Sequence, residues 1–144
     1  MIVQQILGSK PTTGVITILP DASVADAAKL LSEKRIGAIV VSKDGQVPVG
    51  ILSERDIVRE LGRRGGAVLA ENVSALMTAK LITCAASDTS VEVITKMTDG
   101  RFRHMPVMAD GVMIGLISIG DLVKARLNEL SMERDALEGM IMGS

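Results

Sequence analysis

Apolar and polar residues follow two kinds of period along this chain. In residues 23–34 and 90–100 the apolar positions recur every three or four residues, which predicts two helices. Ser23 and Ser90 stand where the N-caps of these helices belong. Short apolar runs predict strands before and after the helices, at residues 16–18, 38–41, 47–52 and 82–84.

The same order of elements occurs twice. Residues 24–31 align with 91–98, and residues 50–58 align with 115–123, at offsets of 67 and 65. Each copy reads as β-α-β-β-α, with an Asp-Gly pair at its hairpin turn. A copy of about 60 residues buries too little apolar surface to be more than marginally stable by itself. The sequence therefore predicts an α/β (α+β) fold in which two repeats pack sheet to sheet as one pseudo-two-fold unit.

The two halves are expected at residues 1–72 and 73–144, and the second half ends in a long helix over residues 119–140. The apolar residues of this helix form a heptad-like stripe, which Arg134 interrupts: Val123, Leu127, Leu130, Leu137 and Ile141. The stripe is longer than one repeat needs. We therefore predict that it packs against a second subunit in a homodimer; docking on its own chain is the alternative.

The composition narrows the classes of partner. The formal net charge is −1, so the chain lacks the general attraction to polyanions on which most nucleic-acid binders depend. Phe102 is the one aromatic residue, so stacking platforms for single strands cannot form. No apolar run is long enough to span a membrane. With Cys84 as the single cysteine, we expect a cytoplasmic protein that binds neither nucleic acid nor membrane.

The most informative motif is a Ser-x-x-Asp segment that follows a glycine-started apolar strand in both copies. Ser53 and Asp56 belong to one segment, Ser118 and Asp121 to the other. Each segment opens a predicted helix, whose N–H groups and dipole attract phosphate. The serine hydroxyl can join those donors, and the aspartate can accept both hydroxyls of a ribose. The alternative is a capping box that serves only the helix.

A basic segment leads into the second strand of repeat 2, where Arg101, Arg103 and His104 can meet phosphate or form a solvated edge. The equivalent stretch of repeat 1 is small and apolar. There Gly37 and Ala38 either let main-chain groups approach an adenine edge or serve close packing. His104 is the one histidine, and no second soft ligand or catalytic motif accompanies it. We therefore predict no metal, no catalytic cofactor and no enzymatic activity.

The repeated unit and these motifs resemble the CBS (cystathionine-β-synthase) domain pair, or Bateman module, over roughly residues 10–127. The matching segments are residues 35–38, residues 103–107 and the two Gly-h-h-Ser-x-x-Asp stretches, where h is apolar. Among such pairs the chain is similar to free-standing bacterial proteins. The resemblance implies a regulatory module that binds AMP, ADP, ATP, NAD or a relative and signals through a dimer or an unidentified regulated protein. An oligomerisation module with unoccupied clefts is the alternative.

The resemblance also implies two clefts. In the first, the base would lie among Thr17, Ile36, Gly37 and Ala38, with Asp121 on the ribose and with Ser118, Arg103 and His104 on phosphate. The second would use Thr83, Phe102, Arg103 and Met105 together with Asp56, Ser53 and Arg55. Gly120 stands where repeat 1 has Arg55, and Ile36 is matched to Arg103, so the two clefts are expected to differ in occupancy.

Overall fold

Two three-stranded sheets and the helices that cover them make up the computed structural model, which describes residues 1–10 and 14–142. The segment 11–13 and the last two residues, which the predicted halves include, lie outside the described residues. The helices are α1 (Val3–Gly8), α2 (Val24–Lys34), α3 (Glu54–Arg64), α4 (Val73–Leu76), α5 (Ser90–Gly100) and α6 (Ile119–Met142), with a 3-10 helix at Gly66–Ala70. The strands are β1 (Thr17–Ile18), β2 (Ala38–Ser42), β3 (Pro48–Ser53), β4 (Cys84–Ala85), β5 (His104–Ala109) and β6 (Val112–Ser118).

Both sheets have the same strand order. β1 runs parallel to β2, which pairs antiparallel with β3, and β4, β5 and β6 repeat this arrangement. The hairpin of repeat 2 turns on Asp110 and Gly111, whose φ angles of 52° and 77° suit a two-residue turn. Repeat 1 uses a longer turn, in which Asp44 Oδ1 accepts hydrogen bonds from Gln46 N–H at 2.8 Å and Val47 N–H at 2.9 Å. The predicted fold of two β-α-β-β-α repeats is confirmed.

The two repeats correspond at an offset that differs from the predicted one. Ala38 lies opposite Ser53 in the β2–β3 hairpin, and His104 lies opposite Ser118 in the β5–β6 hairpin. Ala38 therefore corresponds to His104, 66 positions later. The helices show the same offset, since α2 ends before its cap Arg35 and α5 ends before its cap Arg101, so the predicted offset of 67 over the helices is wrong by one residue. As a consequence Arg103 corresponds to Gly37 and not to the neighbouring isoleucine.

The helix caps reflect the same shift. Ser23 caps α2 as predicted, with its hydroxyl accepting the Asp26 N–H at 3.0 Å. In repeat 2 the cap of α5 is Thr89, because its hydroxyl accepts the Glu92 N–H at 3.1 Å, whereas Ser90 is the first helical residue and is buried. The prediction that Ser90 is the N-cap is therefore wrong. The predicted strand at 82–84 also begins later, since β4 starts at Cys84.

A short helix that the apolar pattern did not predict, α1, joins the core of repeat 2. Its residues Val3 and Ile6 are 0% and 1% exposed, and the Val3 N–H donates to the Asp88 carbonyl at 2.9 Å. α4 makes the same contact with repeat 1, where the Val73 N–H donates to the Ala22 carbonyl at 2.8 Å. The segment ahead of each repeat thus packs on the other repeat. The division at 72/73 remains a prediction, and packing crosses it in both directions.

The sheets of the two repeats meet face to face. Val40 and Ile51 of repeat 1 form a buried cluster with Met113 of repeat 2. The Met113 N–H also donates to the Gln46 carbonyl at 2.8 Å, which ties the two hairpins together. Each repeat has, in addition, its own core between sheet and helices. The ends of β3 and β6, where α3 and α6 begin, are thereby held at the boundary between the repeats.

α6 confirms the predicted C-terminal helix and runs two residues beyond its predicted end. The buried residues of α6 are Leu122 and Ala125, near its start. The predicted stripe of apolar residues is exposed: Val123, Leu127, Leu130, Leu137 and Ile141. That a second subunit covers this stripe remains a prediction. Within residues 1–10 and 14–142, no helix combines the length and apolar character that crossing a bilayer requires.

Candidate functional site

The two Ser-x-x-Asp segments adopt one geometry at the starts of α3 and α6. We call residues 53–56 the Asp56 entrance and residues 118–121 the Asp121 entrance. In the Asp56 entrance, the Ser53 N–H donates to Asp56 Oδ2 at 2.9 Å and the Asp56 N–H donates to Ser53 Oγ at 3.2 Å. The same bonds of the Asp121 entrance measure 2.9 and 3.1 Å. Both segments are complete capping boxes, but an ionised carboxylate accepts about four hydrogen bonds, so each aspartate can still meet a ligand.

At the start of α3 and of α6, other groups of the protein already accept hydrogen bonds from some of the first backbone N–H groups. The Glu54 N–H donates to the Gly37 carbonyl and the Ile119 N–H to the Arg103 carbonyl, both at 2.9 Å. The aspartate N–H is taken by the capping serine, so two of the first helical donors are already bonded in each repeat. A phosphate group beside either helix must therefore depend mainly on side-chain cations.

Each aspartate also holds a cation, and the two cations differ in origin. Asp56 Oδ1 accepts from Arg59 Nη2 at 3.1 Å, and Arg59 lies one turn further along α3. Asp121 Oδ2 accepts from Lys10 Nζ at 2.9 Å, although Lys10 follows α1 at the other end of the chain. Lys10 Nζ donates in addition to the carbonyl oxygen of Leu116 at 2.8 Å. The Asp121 entrance is thus closed by a lysine that is fixed at two points.

A cavity of about 790 Å³ opens between the repeats beside the Asp56 entrance. This volume is within the range of about 300–1,000 Å³ that small-molecule sites usually have. The structure brings eight of the predicted site residues to its wall: Gly37, Ser53, Arg55, Asp56, Phe102, Arg103, His104 and Ser118. Its wall also includes residues that the sequence analysis did not select, among them Arg59, Thr78, Lys80, Leu81 and Ile82.

The other predicted site residues lie outside the wall of this cavity. Ala38 and Met105 are 3% and 0% exposed, because both belong to the packed faces of the sheets. Thr17 belongs to β1, and its Oγ1 lies beside the hairpin turn, 4.0 Å from the position of a Cβ at Gly45. Ile36 packs on the core of repeat 1, Thr83 precedes β4 and is exposed, and Asp121 is held by the lysine described above.

The charge on the cavity wall favours an anion. Within the part of the chain that the structure describes, the side chains of four wall cations make no hydrogen bond or ion pair with the protein: Arg55, Lys80, Arg101 and Arg103. The acidic residues on the same wall are Glu54 and Asp56. Leu81, Ile82 and Phe102 supply apolar surface beside these charges. We call the four cations without a protein partner the uncommitted cations. Together with a hydrogen-bond acceptor and an apolar wall, they suit an aromatic base joined to a sugar phosphate.

His104 of repeat 2 packs against repeat 1. A Cβ built on Gly37 would lie 3.6 Å from His104 Cε1, an ordinary van der Waals distance, so the imidazole lies close to the Gly37 backbone. Burial lowers the pKa of His104, the charge of Asp121 opposes this effect and the charge of Lys10 adds to it; the net pKa is below its ordinary value. The imidazole is therefore neutral at neutral pH.

The pKa of Asp121 is also shifted. Burial raises it, but the Ser118 N–H and the ammonium of Lys10 stabilise the ionised form and hold the pKa of Asp121 below its usual value. Asp121 and Lys10 are consequently both charged at neutral pH and form an ion pair.

Lys10 and Lys80 occupy equivalent positions in the sequence. This equivalence becomes visible only once α1 and α4 are recognised as equivalent helices, each packed on the opposite repeat. Residues 2–10 (IVQQILGSK) align with residues 72–80 (NVSALMTAK) at an offset of 70, which pairs Lys10 with Lys80. The structure supports this alignment, because Leu7 faces Gly115 as Met77 faces Gly50. The common Val3 and Val73 were the signal that could have revealed it.

Comparison with known proteins places these features in a family. The family model described as CBS domain matches residues 3–63 and 73–128. A relative from Arabidopsis thaliana, the mitochondrial CBS domain-containing protein CBSX3, is 39% identical over 127 residues. The alignment covers 85% of this chain and 62% of that relative, so the chain spans less than two thirds of its length.

Two solved structures show the same architecture. The CBS-domain containing protein ATU1752 from Agrobacterium tumefaciens is 41% identical with a TM-score of 0.83, over 88% of this chain and 99% of that protein. The CBS domain pair of protein MJ0100, in complex with 5'-methylthioadenosine and S-adenosyl-L-methionine, is 25% identical with a TM-score of 0.77. That alignment covers 90% of this chain and 98% of the MJ0100 pair.

Proposed function

Because the chain belongs to the CBS domain family, we propose that it is a regulatory module that binds an adenosine nucleotide between its repeats and carries out no chemistry itself. Membership of the family confirms the resemblance drawn from the repeated motifs. The proposal for the ligand depends on one observation, the cavity at the Asp56 entrance with its uncommitted cations.

In the proposed complex the ribose hydroxyls donate to Asp56. Arg59, whose side chain is 54% exposed, can turn toward water when it releases Asp56, and the ribose hydroxyls then replace it as hydrogen-bond partners of this carboxylate. Arg55, Lys80 and Arg103 then hold the phosphates, replacing the water around each cation with a charge-assisted hydrogen bond.

The base packs in the proposed complex against aliphatic and aromatic surface. Leu81 and Ile82 lie on one part of the cavity wall and Phe102 on another. Ile82 is 43% exposed, so covering it removes apolar surface from water and contributes to binding. The adenosine ligands of the MJ0100 pair support the choice of an adenine base. The cations add a preference for an anionic ligand: 5'-methylthioadenosine carries no anionic group and S-adenosyl-L-methionine carries one carboxylate, whereas a nucleotide brings at least one phosphate.

The signal is proposed to pass through α6 to a second copy of the chain or to a regulated protein in the cytoplasm. α6 begins at the Asp121 entrance, beside Ser118, Ile119 and Gly120 of the cavity wall, and carries its exposed apolar stripe from there. Ligand binding at the cavity and contact along the stripe therefore involve one helix. The stripe is also the observation that favours the second candidate, an oligomerisation module that binds no nucleotide.

Thermal unfolding with a panel of ligands tests the proposal. A ligand present at 100 times its dissociation constant stabilises the folded state by about 2.7 kcal/mol. We expect AMP, ADP, ATP or NAD to raise the melting temperature and 5'-methylthioadenosine to raise it less, because it leaves the cations unpaired. If no adenosine compound changes the melting temperature, the nucleotide proposal fails and the oligomerisation module is favoured. Chromatography of ATP after incubation with the protein is expected to show no product.

A further inference from the structure

Lys10 and Lys80 occupy equivalent positions but have different surroundings. Each follows the short helix that packs on the opposite repeat, α1 for Lys10 and α4 for Lys80. Lys80 is exposed on the wall of the cavity and makes no ion pair with a described residue. Lys10, in contrast, is bonded to the Asp121 entrance through its ammonium group.

The backbone explains why Lys10 reaches its aspartate. In repeat 1 the Thr78 N–H donates to the Ile51 carbonyl at 2.8 Å. The corresponding carbonyl of repeat 2 belongs to Leu116, and it accepts from Lys10 Nζ at 2.8 Å. The side chain of Lys10 therefore supplies in repeat 2 a hydrogen bond that the main chain supplies in repeat 1. This second bond fixes the ammonium beside Asp121 Oδ2.

We propose that Lys10 is an internal occupant of the Asp121 entrance, so that the chain binds one nucleotide, at the Asp56 entrance, and not two. This inference rests on the proposed function. Lys10 binds Asp121 in the place where a ribose would bind Asp56. Substitution of Lys10 therefore opens a second nucleotide site, at the Asp121 entrance.

The Lys10–Asp121 and Arg59–Asp56 ion pairs differ in how easily a ligand can displace the cation. The two pairs differ mainly in the cation: the side chain of Lys10 is 27% exposed and that of Arg59 is 54% exposed, while the side chains of Asp121 and Asp56 are 22% and 12% exposed. A cation with less access to water is screened less, so ribose hydroxyls displace Lys10 less readily than Arg59. Removing Lys10 from Asp121 also breaks its bond to the Leu116 carbonyl, a cost that the release of Arg59 does not carry.

Titration calorimetry with AMP and with ATP tests the inference in four proteins. We expect the wild-type chain to bind one nucleotide per chain. Lys10→Met is expected to bind two, with the affinity of the original site within about threefold of wild type. Lys10→Arg, which keeps the charge at Asp121, is the control and should still bind one. Lys80→Met, at the equivalent position, should bind one nucleotide at least about tenfold more weakly, because it removes a cation from the open cavity.

Several outcomes overturn the inference. Two nucleotides per wild-type chain, or an unchanged single site in Lys10→Met, show that Lys10 does not block the Asp121 entrance. A tenfold loss of affinity in Lys10→Met shows instead that Lys10 contacts the ligand. If Lys10→Met does not fold, Lys10→Gln replaces it, because a glutamine amide can still donate a hydrogen bond without the charge.

Failure of the proposed function gives a different result. In that case wild type and Lys80→Met both bind no nucleotide. Absence of binding to the wild-type chain overturns the Asp56 site, whereas a site gained in Lys10→Met still supports the blocking of the Asp121 entrance by Lys10, and no gain overturns it.

Discussion

The Asp56 and Asp121 entrances have the same backbone and the same cap but different third partners. Their reciprocal Ser–Asp hydrogen bonds agree within 0.1 Å. Asp56 then meets Arg59 of its own helix, whereas Asp121 meets Lys10 from the opposite end of the chain. The local motif therefore builds the helix start, and a side chain from elsewhere decides what the carboxylate can bind.

The surroundings of the two entrances extend this difference. Beside Asp56, Arg55 continues the row of cations on the cavity wall; Gly120 stands at the corresponding position beside Asp121. Ala38 of repeat 1 corresponds to His104 of repeat 2, and the larger side chain fills space at the boundary between repeats. The two halves thus share one fold, whereas the charged groups beside their two aspartates differ.

The largest expected effect comes from removing each aspartate in turn. Asp56→Ala should weaken nucleotide binding about tenfold to hundredfold, because a hydrogen bond to a charged group contributes about 1.5–3 kcal/mol. Asp121→Ala should change the affinity by less than about threefold, since Lys10 already occupies this carboxylate. Titration calorimetry measures both values. Equal losses in the two variants would show that the entrances are functionally alike.

Both aspartate variants lose a capping box, which should cost each about 1 kcal/mol of stability. Asp121→Ala also loses its bond to Lys10, so it is expected to be the less stable of the two. The comparison is valid where both remain folded at the temperature of the titration, which circular dichroism checks.

The fold was predictable because its signals are local and occur twice. The hairpin turns at Asp44-Gly45 and Asp110-Gly111, the helix periods and the Ser-x-x-Asp segments all act within a few neighbouring residues. Two copies of each signal gave the order of elements and the paired sheets. α1 was missed because six residues are too short for a periodic pattern, and its stability comes from packing of Val3 and Ile6 on repeat 2.

The site was predictable only in part, because side-chain direction depends on register. A shift of one residue reverses the face that a strand residue presents, and the predicted offset was wrong by one. Ala38 and Met105 thus lie in packed layers, although both were expected at a base. The positions of Lys10 and Lys80 could not be predicted, because they depend on the packing of α1 on repeat 2 and of α4 on repeat 1.

The next largest effect concerns the stability of the two lysine positions. Lys10→Ala should lower the free energy of unfolding by about 1–2 kcal/mol, because it removes two charge-assisted hydrogen bonds and leaves Asp121 partly buried without its cation. Lys80→Ala should change it by less than about 0.5 kcal/mol, as expected for an exposed residue without a partner. Urea unfolding of both variants without ligand gives the difference. Similar values for the two variants would mean that the Lys10 ion pair contributes nothing to stability.

The smallest effect is the pH dependence that His104 gives to the Asp121 side. Because burial lowers the pKa of His104 in the folded protein, the unfolded chain binds a proton more readily. Stability should therefore be fully present above the ordinary histidine pKa of about 6.5 and should decline as the pH falls from there toward the lower pKa of the folded state. Asp121 stays ionised in this range, since its pKa is held below the usual aspartate value and its contribution is lost only at more acid pH.

His104→Ala isolates this contribution, because it gives repeat 2 the residue that repeat 1 has at the corresponding position, Ala38. His104 is the one histidine of the chain, so the variant has no other imidazole to titrate. Urea unfolding at about pH 7.5 and about pH 5.5 should show a smaller loss of stability in the variant than in wild type. An equal loss in both proteins would show that groups other than the imidazole cause the pH dependence. It would also mean that the imidazole of His104 gives the Asp121 side no pH dependence of its own.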